Sequence, residues 1–336
     1  MTPFAEAPEA LEVTTAHAVA VEARRGLTSV PRTLSPWLFY DALGSHLFEQ
    51  ITALPEYYLT RIERDLFRAH ASEMLRLAAR EMPLTLVELG AGTATKTGIL
   101  LEAAVQHQPE VLYQPIDVSE TALIEAADNI ERHLPGVAVH SQIADYTASA
   151  FTVERPRDHR VLALYIGSSI GNFAPEEAAK ILGNLRAQLQ FGDTLLLGID
   201  LAPSRQKPVD TLLAAYDDAA GVTAAFNRNI LDRLNRELRS SFRPESFRHQ
   251  ARWNASDSRI EMHLESLAEQ TVHVPANSAG PGLMLNFHPG DTIHTENSYK
   301  FTEGALAHLL HVSHFAEMKQ WRDERDWFSV ILAEAI

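Results

Sequence analysis

The sequence predicts an α/β fold, a doubly wound parallel sheet with an inserted, smaller α+β domain. Three observations predict it. Between residues 84 and 200, short apolar runs alternate with helical stretches of about 10–15 residues, the signature of parallel strands joined by crossover helices. The first run, Leu84–Leu89, stops at closely spaced glycines, as a buried strand does where it turns into a helix. After Pro203 the alternation ceases, and a long helical stretch and a hairpin take its place.

Residues 14–26 read as an amphipathic helix, and Pro31 and Pro36 interrupt the next stretch of chain. A helical stretch ends near Pro55, and a loop over 54–61 enters a helix at 62–81. Strands are expected at 84–89, 111–117, 137–143, 161–166 and 193–200, with helices at 96–106, 119–133 and 175–189, the second capped by Ser119. Residues 210–238 read as helical. Residues 248–254 and 259–266 read as a hairpin around Asp257 and Ser258. Val272 and residues 293–298 extend that small sheet, the chain is helical from Phe301, and 327–333 form a last strand. The expected domains are therefore 1–65 with 207–300, and 66–206 with 301–336.

Composition narrows the function. The chain has 336 residues, and 29 basic against 44 acidic side chains give a net charge of −15. A phosphate backbone or an anionic bilayer repels such a surface, and Arg24-Arg25 is too small a basic run to compensate, so neither nucleic acid nor membrane is an expected partner. No cysteine is present, which excludes disulfides, thiol catalysis and thiolate metal sites. No apolar run is long enough to span a bilayer, and residues 1–10 lack the basic and apolar regions of a secretory signal, so the expected location is the cytoplasm. His308, His311 and His314 recur every three residues without an acidic partner and read as a helix surface, so no metal is expected.

Chemistry enters at the strand ends. Glu88-Leu89-Gly90-Ala91-Gly92 closes the first strand, where ligands bind in doubly wound sheets. A dinucleotide fingerprint needs a third glycine where Thr95 stands. What remains is the E-x-G-x-G pattern of S-adenosylmethionine-dependent methyltransferases, although a plain glycine turn reads the same. Asp117 ends the second strand, suited to ribose hydroxyls, and Asp145 follows the third, suited to an adenine amino group, with Tyr146 beside it to stack. Singly, each acid also fits a solvated strand end. In register at three successive strand ends, they favour a cationic sulfonium cofactor over a polyphosphate.

Longer motifs carry a family resemblance. Residues 39–45 (Phe-Tyr-Asp-Ala-Leu-Gly-Ser), 54–58 (Leu-Pro-Glu-Tyr-Tyr), Lys96-Thr97, 165–173 (Tyr-Ile-Gly-Ser-Ser-Ile-Gly-Asn-Phe), 215–229 and 296–301 (Glu-Asn-Ser-Tyr-Lys-Phe) occur in order. Over about residues 30–335 the chain closely resembles the L-histidine Nα-methyltransferases of ergothioneine biosynthesis. The resemblance implies a Rossmann-like methyltransferase domain, and a substrate domain made from the N-terminal segment plus an insertion. It implies three successive methyl transfers from S-adenosylmethionine to free L-histidine and its mono- and dimethylated forms, giving hercynine. Separately from the resemblance, a monomer is expected. The resemblance implies that Glu88, Gly90, Gly92, Lys96, Asp117, Asp145 and Tyr146 serve the cofactor. It further implies that Tyr57, Asn172, Tyr216, Met262, Glu296 and Ser298 line the histidine site, with Tyr40, Phe48 and Gly167 close by. Leu59 stands where the family has proline, and Asn297 where it has an apolar residue.

The residues fit those roles chemically. Asn172 and the Tyr216 hydroxyl can donate to a carboxylate, although Asn172 also suits a turn. Glu296 and Ser298, two apart on an extended segment, face one way and can address both imidazole nitrogens. An apolar ring would leave that acid unpaired, so the pair discriminates against phenylalanine and tryptophan. A surface Glu–Ser pair, or a core methionine at 262, is the plain alternative. Tyr40 and Tyr57 offer hydroxyls near the amine, and aromatic rings tolerate a growing quaternary ammonium. Two other functions fit less well. One is the same reaction on tryptophan or tyrosine, against which Glu296 argues. The other is a non-catalytic binding protein, which would have no need of Asp117, Asn172 and Tyr216 together.

Overall fold

The computed structural model describes residues 7–148 and 151–336, with side chains from residue 16 onward. The expectation for residues 1–10 lies largely outside the described residues. The chain forms two compact units: Met1–Tyr57 with Val209–Ser298, and Tyr58–Pro208 with Tyr299–Ile336. The sequence-drawn limits at 65 and 66 cut through a helix that the structure keeps whole in the second unit, Tyr58–Ala79.

The second unit is built on an eight-stranded sheet. Its main path runs Phe315–Arg322, Phe328–Ala335, Thr194–Asp200, Arg160–Tyr165, Leu84–Leu89, Val111–Asp117 and Val137–Val139, and Gln142–Ile143 also pairs with Val111–Asp117. Leu84–Leu89 is parallel to both its neighbours, one later in sequence on each side. That is the topological switch point, and its carboxyl edge is where such sheets bind ligands. The central strands Leu84–Leu89 and Thr194–Asp200 are buried along their whole length, which explains their mostly apolar composition. Ile181, Leu182, Leu185, Leu306, Leu309 and Leu310 on two helices pack against Val87, Val161, Leu195 and Ile331, which share one face of the sheet.

The elements at the sheet centre lie where the sequence places them, and those at its margins depart. The strand expected at 137–143 is two short pieces separated by His140 and Ser141. It lies at the sheet margin, with no neighbour beyond to enforce a continuous ladder. The helical reading after Phe301 holds only for Glu303–Val312, and Phe315–Arg322 is an antiparallel edge strand. A register shift between Glu317 and Lys319 breaks its alternation and hides it from a period-two reading.

The first unit holds a four-stranded sheet ordered Arg32–Thr33, Thr292–Tyr299, Arg259–Ser266 and Phe247–Asn254, plus a separate ribbon of Gln270–Val274 with Leu283–Phe287. The hairpin around Asp257 and Ser258 forms as expected. The stretch 210–238 is two helices, Val209–Tyr216 and Val222–Leu238. Asp218 divides them: its carboxylate accepts from the N–H groups of Val222 and Thr223 at 3.0 and 2.7 Å, capping the second helix.

Candidate functional site

At the carboxyl edge of Leu84–Leu89 the backbone turns through Gly90 at φ +68° and Gly92 at φ +52°, a region glycine enters without steric cost. A Cβ on Gly92 would meet nothing within 4 Å, so this stretch of backbone is open to close approach by a ligand. The Gly92 N–H donates to Asp117 Oδ2 at 3.0 Å, and the Ser119 N–H to Asp117 Oδ1 at 2.9 Å. Asp117 thus ties the glycine loop to the next helix start, and each of its oxygens keeps a further lone pair.

Glu88 is fully buried and turned inward. Its carboxylate accepts from Thr97 Oγ1 at 2.9 and 2.7 Å and from the Tyr113 hydroxyl. Burial pushes its pKa up to about 7 against the opposing hydrogen bonds. Asp145 accepts from Thr147 N–H and Oγ1 at 2.9 and 2.6 Å, which shapes the turn after Gln142–Ile143. Tyr146 stands edge-on to Tyr165 with ring centroids 5.8 Å apart, and its Oη would lie 3.3 Å from a Cβ on Gly90. Burial pushes its hydroxyl up to about 12, so it stays protonated. Gly90, Gly92, Asp117 and Tyr146 therefore converge on one edge. A backbone open at Gly92, bordered by carboxylates and a ring, suits a nucleoside with a cationic tail and offers no cradle for pyrophosphate.

Lys96 introduces a residue the sequence reading missed. Its ammonium pairs with Glu63, whose side chain is wholly buried on the helix Tyr58–Ala79. Glu63 Oε1 also accepts from the Gly167 N–H at 2.7 Å. A Cβ on Gly198 would collide with the same oxygen, and one on Gly167 would lie 2.7 Å from Lys96 Nζ. The ion pair sits where a side chain at either glycine would displace it. Glu63 was missed because, in sequence, it is one acid in a charged amphipathic helix.

Gly167 opens the loop that carries Asn172. Gly167 has φ +81° and Ser168 φ +58°, and a single 3-10 turn, Ser169–Asn172, comes next. Ser168 Oγ accepts from the Asp200 N–H at 2.9 Å. Asp200 itself is fully buried and receives Tyr58 Oη at 3.0 and 2.9 Å, Lys300 Nζ at 2.8 Å and the Lys207 ammonium. The two ammonium groups hold its carboxyl below the ordinary range against burial, while burial brings Lys207 down to about 8. This cluster was also invisible in sequence, because its members lie far apart in the chain.

In the first unit Tyr40, Phe48, Tyr57, Tyr216 and Ser298 form a continuous cluster. Tyr40 stands edge-on to Phe48 at 5.7 Å, Phe48 to Tyr57 at 6.4 Å, and Tyr57 to Tyr216 at 6.1 Å between centroids. Tyr216 Oη lies 2.7 Å from Ser298 Oγ. Phe226 completes the group, 5.9 Å from Tyr40 and 6.0 Å from Phe48, and was not singled out from sequence. Met262 is buried on Arg259–Ser266, and its carbonyl accepts from Thr295 Oγ1 at 3.1 Å on Thr292–Tyr299, the strand that carries Glu296 and Ser298.

Among the described residues, Glu261, His263 and His294 bring ligand-type atoms within 4.8 Å of one another. The two rings are stacked, centroids 4.8 Å apart and tilted by 21°. Lone pairs lie in the ring planes, so nearly parallel rings do not converge on one ion, and Arg259 already occupies Glu261 at 2.7 Å. His308 and His311 lie on the helix Glu303–Val312, and His314 lies just beyond it at φ +58°.

The family relationship matches this arrangement. Residues 19–335 match the model of the SAM-dependent histidine-specific methyltransferases. The chain is 40% identical over 319 residues to the histidine N-alpha-methyltransferase of Mycolicibacterium smegmatis, covering 95% of each chain. It is 40% identical over 308 residues to that of Mycobacterium tuberculosis, covering 92% of each. In fold it is similar to a DUF574-family protein from Streptomyces avermitilis, with a TM-score of 0.51 and 14% identity over 89% of this chain and 95% of that one. The chain is an S-adenosylmethionine-dependent methyltransferase and belongs to the histidine-specific methyltransferase family.

Proposed function

We propose that this enzyme methylates the α-amino nitrogen of free L-histidine three times, passing through the mono- and dimethylated forms to hercynine, a precursor of ergothioneine. The observation that carries the reading, beside family membership, is the Tyr216–Ser298 hydroxyl pair at 2.7 Å within a cluster of aromatic rings, two residues from Glu296. Glu296 and Ser298 recognise the imidazole, and Met262 packs against it. Asn172 and Tyr216 hold the carboxylate. Such a set rewards a ring with two polar nitrogens and penalises an apolar ring, which would leave a carboxylate unpaired.

Residues of the second unit hold the cofactor: Gly90 and Gly92 by backbone approach, Asp117 at the ribose, Asp145 and Tyr146 at the adenine, and Lys96 nearby. Glu88 acts from beneath, by fixing Thr97 at the start of the next helix and Tyr113 on the neighbouring strand. When bound, S-adenosylmethionine supplies a methyl carbon already activated by a sulfonium, so the protein's task is positioning and desolvation. The amine must be neutral to attack. Tyr40 and Tyr57 orient its lone pair and pass to water the proton that must leave after each of the first two transfers. The rings of Tyr40, Phe48 and Tyr57 give the final quaternary ammonium a π-lined surface. Most of the proposed amino-acid contacts thus come from the first unit, Asn172 being the exception, and the cofactor contacts from the second.

We place the enzyme in the cytoplasm as a monomer. Its cysteine-free, acidic composition supports the compartment, and no described helix is long and apolar enough to cross a membrane. Incubation with S-adenosylmethionine and each of the twenty amino acids, read by mass spectrometry, tests the substrate. Histidine alone should gain one, two and three methyl groups, and product from tryptophan or tyrosine instead would contradict the reading.

A further inference from the structure

Three chain segments of the first unit carry proposed histidine contacts: the end of Val209–Tyr216, the strand Arg259–Ser266, and the strand Thr292–Tyr299. One buried side-chain chain joins all three. His249 Nε2 lies 2.8 Å from the Tyr216 carbonyl, and His249 Nδ1 lies 2.8 Å from Asn227 Nδ2. The other hydrogen of Asn227 Nδ2 goes to the His263 carbonyl at 3.2 Å, and Asn227 Oδ1 accepts from Thr295 Oγ1 at 2.8 Å. Thr295 Oγ1 also reaches the Met262 carbonyl at 3.1 Å. Asn227 is 0% exposed and His249 6%, so neither can turn to water for a substitute partner.

The donors and acceptors of His249 and Asn227 are determined, and the single Thr295 hydroxyl hydrogen is shared between Asn227 Oδ1 and the Met262 carbonyl. A carbonyl only accepts, so His249 carries its proton on Nε2. An amide nitrogen only donates, so His249 Nδ1 must be a bare acceptor. Flipping the Asn227 amide would set Oδ1 against the His263 carbonyl and the His249 acceptor, so its orientation is fixed as well. Burial lowers the His249 pKa and keeps the ring neutral, with Asp217 3.9 Å away as the nearest acid.

We propose that Asn227 and His249 are positioning residues for histidine binding: by locking the Tyr216 backbone to Met262 and to the residue preceding Glu296, they set the carboxylate contact and the imidazole contact at a fixed separation. The proposal rests on the histidine reading above. Neither residue touches substrate in this role, so the effect falls on recognition of histidine and leaves the cofactor side untouched.

The test is a KM-against-kcat split with volume-matched controls. Asn227→Ala should raise the KM for histidine about tenfold while kcat stays within about threefold and S-adenosylhomocysteine affinity is unchanged. His249→Gln keeps one donor and one acceptor, whereas His249→Leu keeps only bulk. The relay predicts Gln to stay nearer the parent KM than Leu, and a purely space-filling role predicts Leu to do at least as well. If Asn227→Ala fails to fold, Thr295→Val removes one hydroxyl at constant shape and should raise KM about threefold. A long-range proton–nitrogen NMR spectrum should show His249 as the Nε2–H tautomer. An Nδ1–H tautomer, or unchanged histidine KM in the folded variants, overturns the relay. If the parent enzyme leaves histidine unmethylated, the substrate reading falls instead. The His249 tautomer and the Gln–Leu difference in melting temperature then still judge the network.

Discussion

The carboxyl edge of the parallel sheet and the aromatic cluster of the first unit are assembled in opposite ways. Gly90, Gly92, Asp117, Asp145 and Tyr146 come from successive strand ends within about sixty residues of chain, and largely backbone geometry places them. Tyr40, Phe48, Tyr57, Tyr216 and Ser298 are drawn from more than 250 positions and meet only through side-chain packing and buried hydrogen bonds. The contrast shows how one chain couples a cofactor common to many enzymes to a substrate peculiar to few. The shared part is specified locally by the sheet. The selective part is specified by long-range contacts that can change without disturbing the sheet.

That contrast can be broken or sharpened by substitution. The largest effect is expected from Asp117→Ala, which removes the proposed ribose acceptor and releases the Gly92 N–H. Calorimetry should show cofactor affinity falling about a hundredfold or more, because a charged acceptor of several hydrogen bonds is lost. Glu296→Ala should cut kcat/KM for histidine about a hundredfold and leave cofactor affinity within about twofold. Equal losses in both would end the separation of roles. Tyr216→Phe removes only the hydroxyl that meets Ser298, and about a tenfold rise in the histidine KM is expected.

The smallest effects concern pH. Burial holds His263 down to about 4, so the folded state binds fewer protons than the unfolded state between about pH 6.5 and 4. Stability should fall as the pH drops through that window, and His263→Gln should lessen the fall in melting temperature. Glu88, held up to about 7, has the opposite sign. Its folded form binds the extra proton between about pH 4.5 and 7, so its contribution to stability declines as pH rises through that range, and Glu88→Gln should remove that slope.

The same contrast governs what could be read from sequence. Leu84–Leu89 and Val111–Asp117 are legible to the residue because burial on both faces leaves short, mostly apolar runs. Ser119 caps its helix as its residue type suggests, accepting from the Ala122 N–H at 3.3 Å. Phe315–Arg322 was not legible, because the register shift after Glu317 scrambles its pattern at an exposed edge. At the candidate site, the glycines and strand-end acids announce themselves by position. The amino-acid contacts were reached through family motifs, since no local rule brings Tyr57 to Tyr216. Glu63 had no such mark, because its closeness to Gly198 and to the Gly167 N–H exists only once the strands are neighbours. Asn227 and His249 carry no local mark, because a buried amide and a surface amide look alike in sequence.

Recognition of histidine by a group that leaves the cofactor unaffected is most directly tested by titrating histidine into the S-adenosylhomocysteine-saturated enzyme, parent and Glu296→Ala side by side, in a calorimeter. The account predicts clear histidine binding to the parent, its collapse in the variant, and the same S-adenosylhomocysteine affinity in both. Undiminished histidine binding without the Glu296 carboxylate would contradict it.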